Sequence, residues 1–292
     1  MKIALFGLPI AAHLLTRDGH EIVYAALSMA APGLRRVTRR IAPGRAWLAP
    51  DVAAASTLAQ VRAAAPELIV SWFWTKKLPP ALLSMARGVG VHPSLLPRHR
   101  GPDPYFWALD CGDEVTGVTA HLLEPEYDTG AILGRREVPI DSRWNAWDLA
   151  RALDRPSLAL VREVVQAFAS GRPPSPEPQD ERRATMAPIP QRDELAIRWS
   201  WTAERIARRV RAAAPWPGAW TAIGEQIVTL VRVRPTTDFP AALAPGEAAV
   251  RRDGVAVVRA GSEAVELLEG RSEEDVPFGQ DHFSTLVVEA RS

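Results

Sequence analysis

The hydrophobic pattern of this chain changes period once, and that change constrains the fold more than any other feature. Before the run Gly171-Arg-Pro-Pro-Ser-Pro-Glu-Pro, short apolar runs alternate with Ala-rich stretches of helical spacing. After it, short segments alternate apolar and polar residues one by one, the period of strands with one buried face. The proline-rich run is semi-extended and reads as the seam between two domains.

The first part predicts a parallel sheet with helices on both faces. Ile3–Phe6, Glu21–Tyr24, Leu68–Trp72 and Val89–His92 read as short buried strands, with helical candidates such as Thr57–Ala65 between them. Thr116–Leu123 and Ala131–Val138 read as two more, joined by Glu-Pro-Glu-Tyr-Asp-Thr-Gly. Trp147–Ser170 is a long amphipathic helix that Pro156 is expected to kink or split. The second part opens with a helix over Thr202–Ala214, with Thr202 as N-cap. Strands are expected at Ala219–Ile223, Ile227–Arg234, Ala248–Arg252, Val255–Arg259 and Val265–Leu268, with hairpin turns at Gly224-Glu225 and Asp253-Gly254. Five such strands predict a small β-barrel. The expected organisation is an α/β domain over residues 1–175, a linker over 176–194 and a β-barrel domain over 195–292.

Composition excludes several classes. With 292 residues, 47% hydrophobic and 24% charged, at a net charge of +1, the chain has the apolar mass for two cores and is not a disordered chain. Cys111 is the sole cysteine, which excludes a disulfide scaffold and makes the cytoplasm the expected compartment. Cys111 itself is expected to be packed. No run reaches the roughly 20 apolar residues of a membrane span. The N-terminal MKIALFGLPIAAHLL is read as a first strand, because Gly7-Leu8-Pro9 breaks the apolar run that a signal peptide needs. Overall charge gives no argument for nucleic acid, but Arg35, Arg36, Arg39, Arg40 and Arg45 crowd a segment without acids. Arg205, Arg208, Arg209 and Arg211 form a second group, in which Arg205 and Arg209 share one helical face. Such groups either contact phosphates or form a solvated surface.

The chemistry concentrates between Val91 and Leu133. His92 ends a buried strand at its C-terminal edge, where open α/β sheets bind ligands. The Pro93 and Leu95-Leu96-Pro97 segment imposes a rigid apolar loop beside it, and Asp128 lies in a tight loop before another strand. A His with a carboxylate partner is a general acid/base pair; alternatively, the His packs and the Asp caps a turn. His99 and His121 are read as structural.

The order His-Pro-Ser-Leu-Leu-Pro-Arg-His-Arg-Gly (92–101), then Asp-Thr-Gly (128–130), resembles the folate-dependent formyltransferases. Trp199-Ser-Trp-Thr-Ala-Glu-Arg-Ile and Arg211-Ala-Ala-Ala-Pro-Trp-Pro-Gly-Ala extend the resemblance, in the same order, into the second domain. The resemblance implies a Rossmann-like formyltransferase domain, an OB-like barrel, 10-formyltetrahydrofolate as donor and an amine as acceptor. It carries the catalytic His and Asp onto His92 and Asp128, and the folate-contacting segment onto Ser94, Leu95, Leu96 and Pro97. His92, oriented by Asp128, would then move the proton and stabilise the oxyanion.

Three departures stand out. The family's catalytic Asn is replaced by Gly90, which has no side chain with which to donate. The loop Gly7-Leu8-Pro9-Ile10-Ala11 is shorter than the family's. Ser71-Trp-Phe-Trp-Thr-Lys-Lys puts bulky aromatics where the family has small residues; they either stack on a flat ring or end a buried strand. The acceptor stays open among three readings: methionyl-tRNA, the leading one, with Arg35, Arg36, Arg39, Arg40, Arg205 and Arg209 as phosphate contacts; a small amine such as an amino sugar; or a folate-binding relative that hydrolyses or does not transfer.

Overall fold

In the computed structural model, which describes residues 1–27, 34 and 41–291, the residues group into two compact units. The first comprises Met1–Pro104, Val115–Pro139 and Ala152–Ala187; the second comprises Tyr105–Glu114, Ile140–Arg151 and Pro188–Ser292. Arg35, Arg36, Arg39 and Arg40 lie outside the described residues.

The first unit is built on a seven-stranded sheet. Its elements are β1 (Lys2–Gly7), α1 (Pro9–Arg17), β2 (Glu21–Leu27), β3 (Ala46–Leu48), α2 (Ala55–Ala64), β4 (Leu68–Trp72), α3 (Pro80–Leu83) and β5 (Arg87–His92). After α4 (Pro104–Cys111) come β6 (Val115–Leu122) and β7 (Ile132–Pro139). The order is β3-β2-β1-β4-β5-β6-β7, parallel through β5 and antiparallel for the last two pairings. The parallel strands β1, β2, β4 and β5 are almost wholly buried, as strands covered on both faces must be, whereas the edge strand β3 is not. Phe6, Tyr24, Val61, Ile69 and Leu82 centre one core, each side chain contributing roughly 1.5–3 kcal/mol by burial.

Gly7 ends β1 because nothing larger fits: a Cβ there would stand 1.7 Å from the Trp72 carbonyl oxygen, at φ +145. Pro9 then starts α1, where its missing N–H costs no hydrogen bond. The helix α5 (Ala146–Ala169) continues through Pro156, so the proline does not split it. Ser157, buried beside the proline, accepts the Trp72 indole N–H at 2.5 Å and anchors that turn to the end of β4.

The second unit holds α6 (Ala203–Ala213), β8 (Ala219–Ile223), β9 (Gln226–Thr236), β10 (Ala248–Val250), β11 (Ala256–Arg259), β12 (Ala264–Arg271), β13 (Pro277–Gly279) and α7 (Gln280–Glu289). Thr202 caps α6 as expected, its Oγ1 accepting from the Arg205 amide. All pairings are antiparallel, in the order β10-β11-β12-β9-β8, with β13 on β12. The expected barrel therefore takes the form of one bent antiparallel sheet. The β9–β12 register shifts twice around Glu269, the kind of bulge that lets a long strand bend. Both predicted hairpin turns are present, Ile223 facing Gln226 and Val250 facing Ala256.

Inside this unit an ion cluster fixes α6. Asp110 on α4 receives both Arg205 and Arg209 at 2.5–2.9 Å. The Arg209 guanidinium also donates to the Glu194 carbonyl and lies over the Phe106 and Trp201 rings. Burial alone would raise the Asp110 carboxyl, but the two guanidinium groups outweigh it and hold it below the usual carboxylate range. This corrects the expectation for Arg205 and Arg209. They do share a face, yet that face is turned to Asp110, and Arg209 is 6% exposed. Cys111, expected to pack, is exposed.

Candidate active site

The site lies at the C-terminal end of β5, within the first unit. His92 is the last residue of that strand and is buried. Its Nε2 lies 2.7 Å from the His99 carbonyl oxygen, which can only accept, so Nε2 carries the proton. The tautomer is thus set by His99, not by Asp128. Only Nδ1 is left for chemistry, and it faces Asp128 Oδ2 at 3.4 Å.

Asp128 reaches this position through an unusual loop. It adopts a left-handed φ of +57, a conformation that Asp tolerates better than most residues. Two residues on, Gly130 lets the chain fold back against β6: a Cβ there would stand 1.9 Å from the Leu122 carbonyl oxygen. The Gly101 amide donates to Asp128 Oδ2 at 2.9 Å. Asp128 Oδ1 faces a second imidazole, His121 Nε2, at 3.5 Å.

His121, structural by the sequence reading, turns its ring edge to Asp128 and lines a neighbouring cavity. Its Nδ1 lies 2.8 Å from the Leu122 carbonyl and therefore carries the proton, leaving Nε2 as a lone pair when the ring is neutral. Burial pushes the imidazole pKa down, more than the Asp128 carboxylate pulls it up. Each imidazole thus spends its neutral-state proton on a backbone carbonyl and turns its other nitrogen to one shared carboxylate.

The predicted folate-contacting segment, 94–97, follows His92 and Pro93 in the chain. Ser94 and Leu96 are buried and Leu95 is half-buried. Thr119, buried and paired with His92 across β5–β6, ties the segment down. Its hydroxyl donates to the Ser94 carbonyl at 2.7 Å and accepts the Leu96 amide at 3.1 Å. A cavity beside His121 and Asp128 is lined instead by Ser71, Trp74, Leu78, Leu83, Leu123 and Tyr127, with Lys76, Lys77, Glu124 and Glu126 at its polar parts. Of the aromatics at 72–74, Trp72 ends β4 and is buried, and Trp74 lines this cavity, edge-on to Phe6.

Part of the segment expected as a linker holds the site together. Gln179 Nε2 donates to the Asp128 and Gly130 carbonyls, both at 2.7 Å. Thr185 Oγ1 accepts the His99 amide at 2.8 Å, and the buried Arg100 forks onto Gln179 and Glu181. Thr119, Gln179 and Thr185 escape sequence reasoning; the one signal is a threonine in the apolar run of β6.

Known proteins resemble this chain along both units. The formyl transferase family matches residues 33–165, and the formyl transferase C-terminal domain family matches residues 190–283. A methionyl-tRNA formyltransferase of Anaeromyxobacter dehalogenans is 34% identical over 93% of this chain and 93% of its own. One from Chloroflexus aurantiacus is 33% identical over 92% and 91%. Among solved structures, HypX from Aquifex aeolicus in complex with tetrahydrofolic acid superposes with a TM-score of 0.68 at 21% identity, over 97% of this chain and 46% of that one. WlaRD, a sugar 3N-formyl transferase, superposes with a TM-score of 0.66 at 13% identity, over 91% and 97%. These two share the fold, whereas the sequence relatives share the whole chain, and the protein belongs to the formyl transferase family.

Proposed function

We propose that this chain transfers a formyl group from 10-formyltetrahydrofolate to the amino group of methionyl-tRNA. The observation that carries the reading is the likeness to methionyl-tRNA formyltransferases along both units, at 34% identity over 93% of the chain. A solved relative of the same fold holds tetrahydrofolic acid.

The cavity fits such a donor in kind. Its wall is apolar and aromatic, and the Trp74 indole N–H is buried without a hydrogen-bond partner among the described residues, free to meet a ring acceptor. Trp74, Leu78, Leu83 and Leu123 would hold the ring system, with Ser94, Leu95, Leu96 and Pro97 as the rigid wall that excludes water behind His92. When bound, the donor supplies an electrophilic formyl carbon to the amine. The chain's residues supply the proton chemistry. Asp128, fixed by the Gly101 amide and by Gln179, stabilises a proton on His92 Nδ1. A proton taken up at His92 Nδ1 during the reaction would make the ring a charged donor for charge developing on the formyl oxygen.

For tRNA contacts, Arg205 and Arg209 are the weakest candidates, since Asp110 occupies both. Arg35, Arg36, Arg39 and Arg40 remain the proposed phosphate contacts. A small amine is the second reading, favoured by that commitment of Arg205 and Arg209 to Asp110. Salt separates the two. A tRNA acceptor predicts an apparent KM that rises steeply between 50 and 200 mM salt, roughly as the power of the number of phosphates contacted, whereas a small amine predicts an almost flat response. Transfer to a nucleotide-linked amino sugar but not to charged initiator tRNA would overturn the leading reading.

A further inference from the structure

We propose that Lys77 takes a tail carboxylate of the folate donor, and that the carboxylate of Glu126 holds that place until the donor displaces it. The proposal rests on the formyl-transfer reading and deepens it. Two segments line the cavity beside Asp128, one within 71–83 and one within 121–128. Three contacts tie them together at the rim. Lys77 Nζ lies 2.7 Å from Glu126 Oε2 and 5.2 Å from the centre of the Tyr127 ring, and the Tyr127 hydroxyl donates to the Thr75 carbonyl at 3.3 Å. The cavity behind this tie holds about 60 Å³, well below the roughly 300–1,000 Å³ of small-molecule sites, so a folate enters only if the two segments part. The Lys77–Glu126 pair, 47% and 74% exposed, is a weak tie that a competing carboxylate can replace.

The chemistry of the rim favours such an exchange. Of the 35 lysines and arginines, only Lys2, Lys76 and Lys77 are lysines. An arginine would grip Glu126 with a two-pronged fork, whereas an ammonium on a flexible stem holds a carboxylate at one point and passes to another. Lys76, exposed beside it, makes no ion pair among the described residues. Glu124 and Glu126 match the two lysines in charge, so the rim has no net attraction for anions and the exchange at Lys77 decides what binds. The cavity is graded as a folate is graded. Trp74, with its buried indole N–H, lies inside, and the lysines lie at the exposed end, as a flat ring system with a glutamate tail requires. Tyr127 is the chain neighbour of Asp128, so the ammonium over its ring stands on the rim next to the reacting centre, at the end where the tail leaves. When the tail carboxylate arrives, the Glu126 carboxylate returns to water and the charge balance at Lys77 is unchanged.

The test is calorimetric titration of the full chain at low salt with two ligands: 5-formyltetrahydrofolate, which carries the tail, and 6-methyltetrahydropterin, which lacks it. Lys77→Ala and Glu126→Gln break the same ion pair, and both side chains are exposed, so neither change threatens the fold. If the pair only ties the segments together, both variants shift the affinity for the tailed ligand in the same direction. The proposal expects opposite signs: 5-formyltetrahydrofolate should bind about three- to fivefold more weakly to Lys77→Ala and about two- to threefold more tightly to Glu126→Gln. Lys77→Ala should not weaken binding of the tail-free pterin, and high salt should shrink the Lys77 effect. The same sign in both variants, or equal weakening of both ligands by Lys77→Ala, would overturn the proposal and leave the transferase reading intact. A wild-type protein that binds neither ligand would overturn both.

Discussion

Two clusters of charged and titratable groups carry opposite instructions, although each centres on one buried or nearly buried aspartate. Around Asp110, both carboxylate oxygens meet guanidinium donors at 2.5–2.9 Å. Around Asp128, two imidazole nitrogens stand off at 3.4 and 3.5 Å, while the Gly101 amide donates at 2.9 Å. Permanent cations satisfy the first cluster in the folded chain, so it does structural work. Two imidazoles, whose charge depends on a bound proton, face the second at longer distances. A completed network and an incomplete one are thus distinguishable by distance and by the kind of donor, before any substrate is considered.

The sharpest way to break this comparison is to disable each cluster and measure both activity and stability. His92→Ala and Asp128→Asn should each lower formyl transfer by about 10²–10⁴-fold with little change in melting temperature. Near-normal turnover in either variant would remove that residue from the chemistry. Asp110→Ala should do the reverse. It strands two guanidinium groups, one of them buried, and breaking a buried pair costs about 3–5 kcal/mol. Denaturant unfolding should show that loss, and a variant as stable as wild type would contradict the structural reading of Asp110.

A smaller effect is expected at Gln179, which ties the segment after α5 to the Asp128 loop. Gln179→Ala removes two hydrogen bonds to the Asp128 loop, at about 0.5–1.5 kcal/mol each. Turnover should fall about tenfold through a looser Asp128, with the substrate KM little changed; turnover equal to wild type would make Gln179 merely structural. The smallest effect is on acid stability. The Asp110 carboxyl is held below its unfolded value, so its contribution is complete above the unfolded pKa and is lost as pH falls through the folded one. Wild type should therefore lose stability on acidification below about pH 4, and Asp110→Asn should flatten that slope; equal slopes would contradict it.

These contrasts also show what the sequence makes legible. Buried parallel strands announce themselves as apolar runs, so Leu68–Trp72 is bounded to the residue and β5 ends at His92 as read. The His92–Asp128 pairing is legible through the family motif. The companions of that pair are not, because register and long-range pairing place them. His121 meets Gly90 only through the β5–β6 ladder, and Gln179 lies 51 residues from Asp128. Composition reads residues 176–194 as a linker, yet Glu177 pairs with Ile132 and Thr185 holds His99. The arginines of α6 carry the same lesson: an exposed-looking basic face is indistinguishable from a buried one until Asp110, 95 residues away, is brought to it.

The central claim is that a formyltransferase site survives the replacement of an amide side chain by Gly90. The most direct measurement follows tetrahydrofolate and formate release from 10-formyltetrahydrofolate, with and without charged initiator methionyl-tRNA. The account predicts tetrahydrofolate release that requires the tRNA, matched mole for mole by formyl-methionyl-tRNA and without free formate. Formate release independent of any acceptor, or no release from a protein that still binds folate, would contradict it.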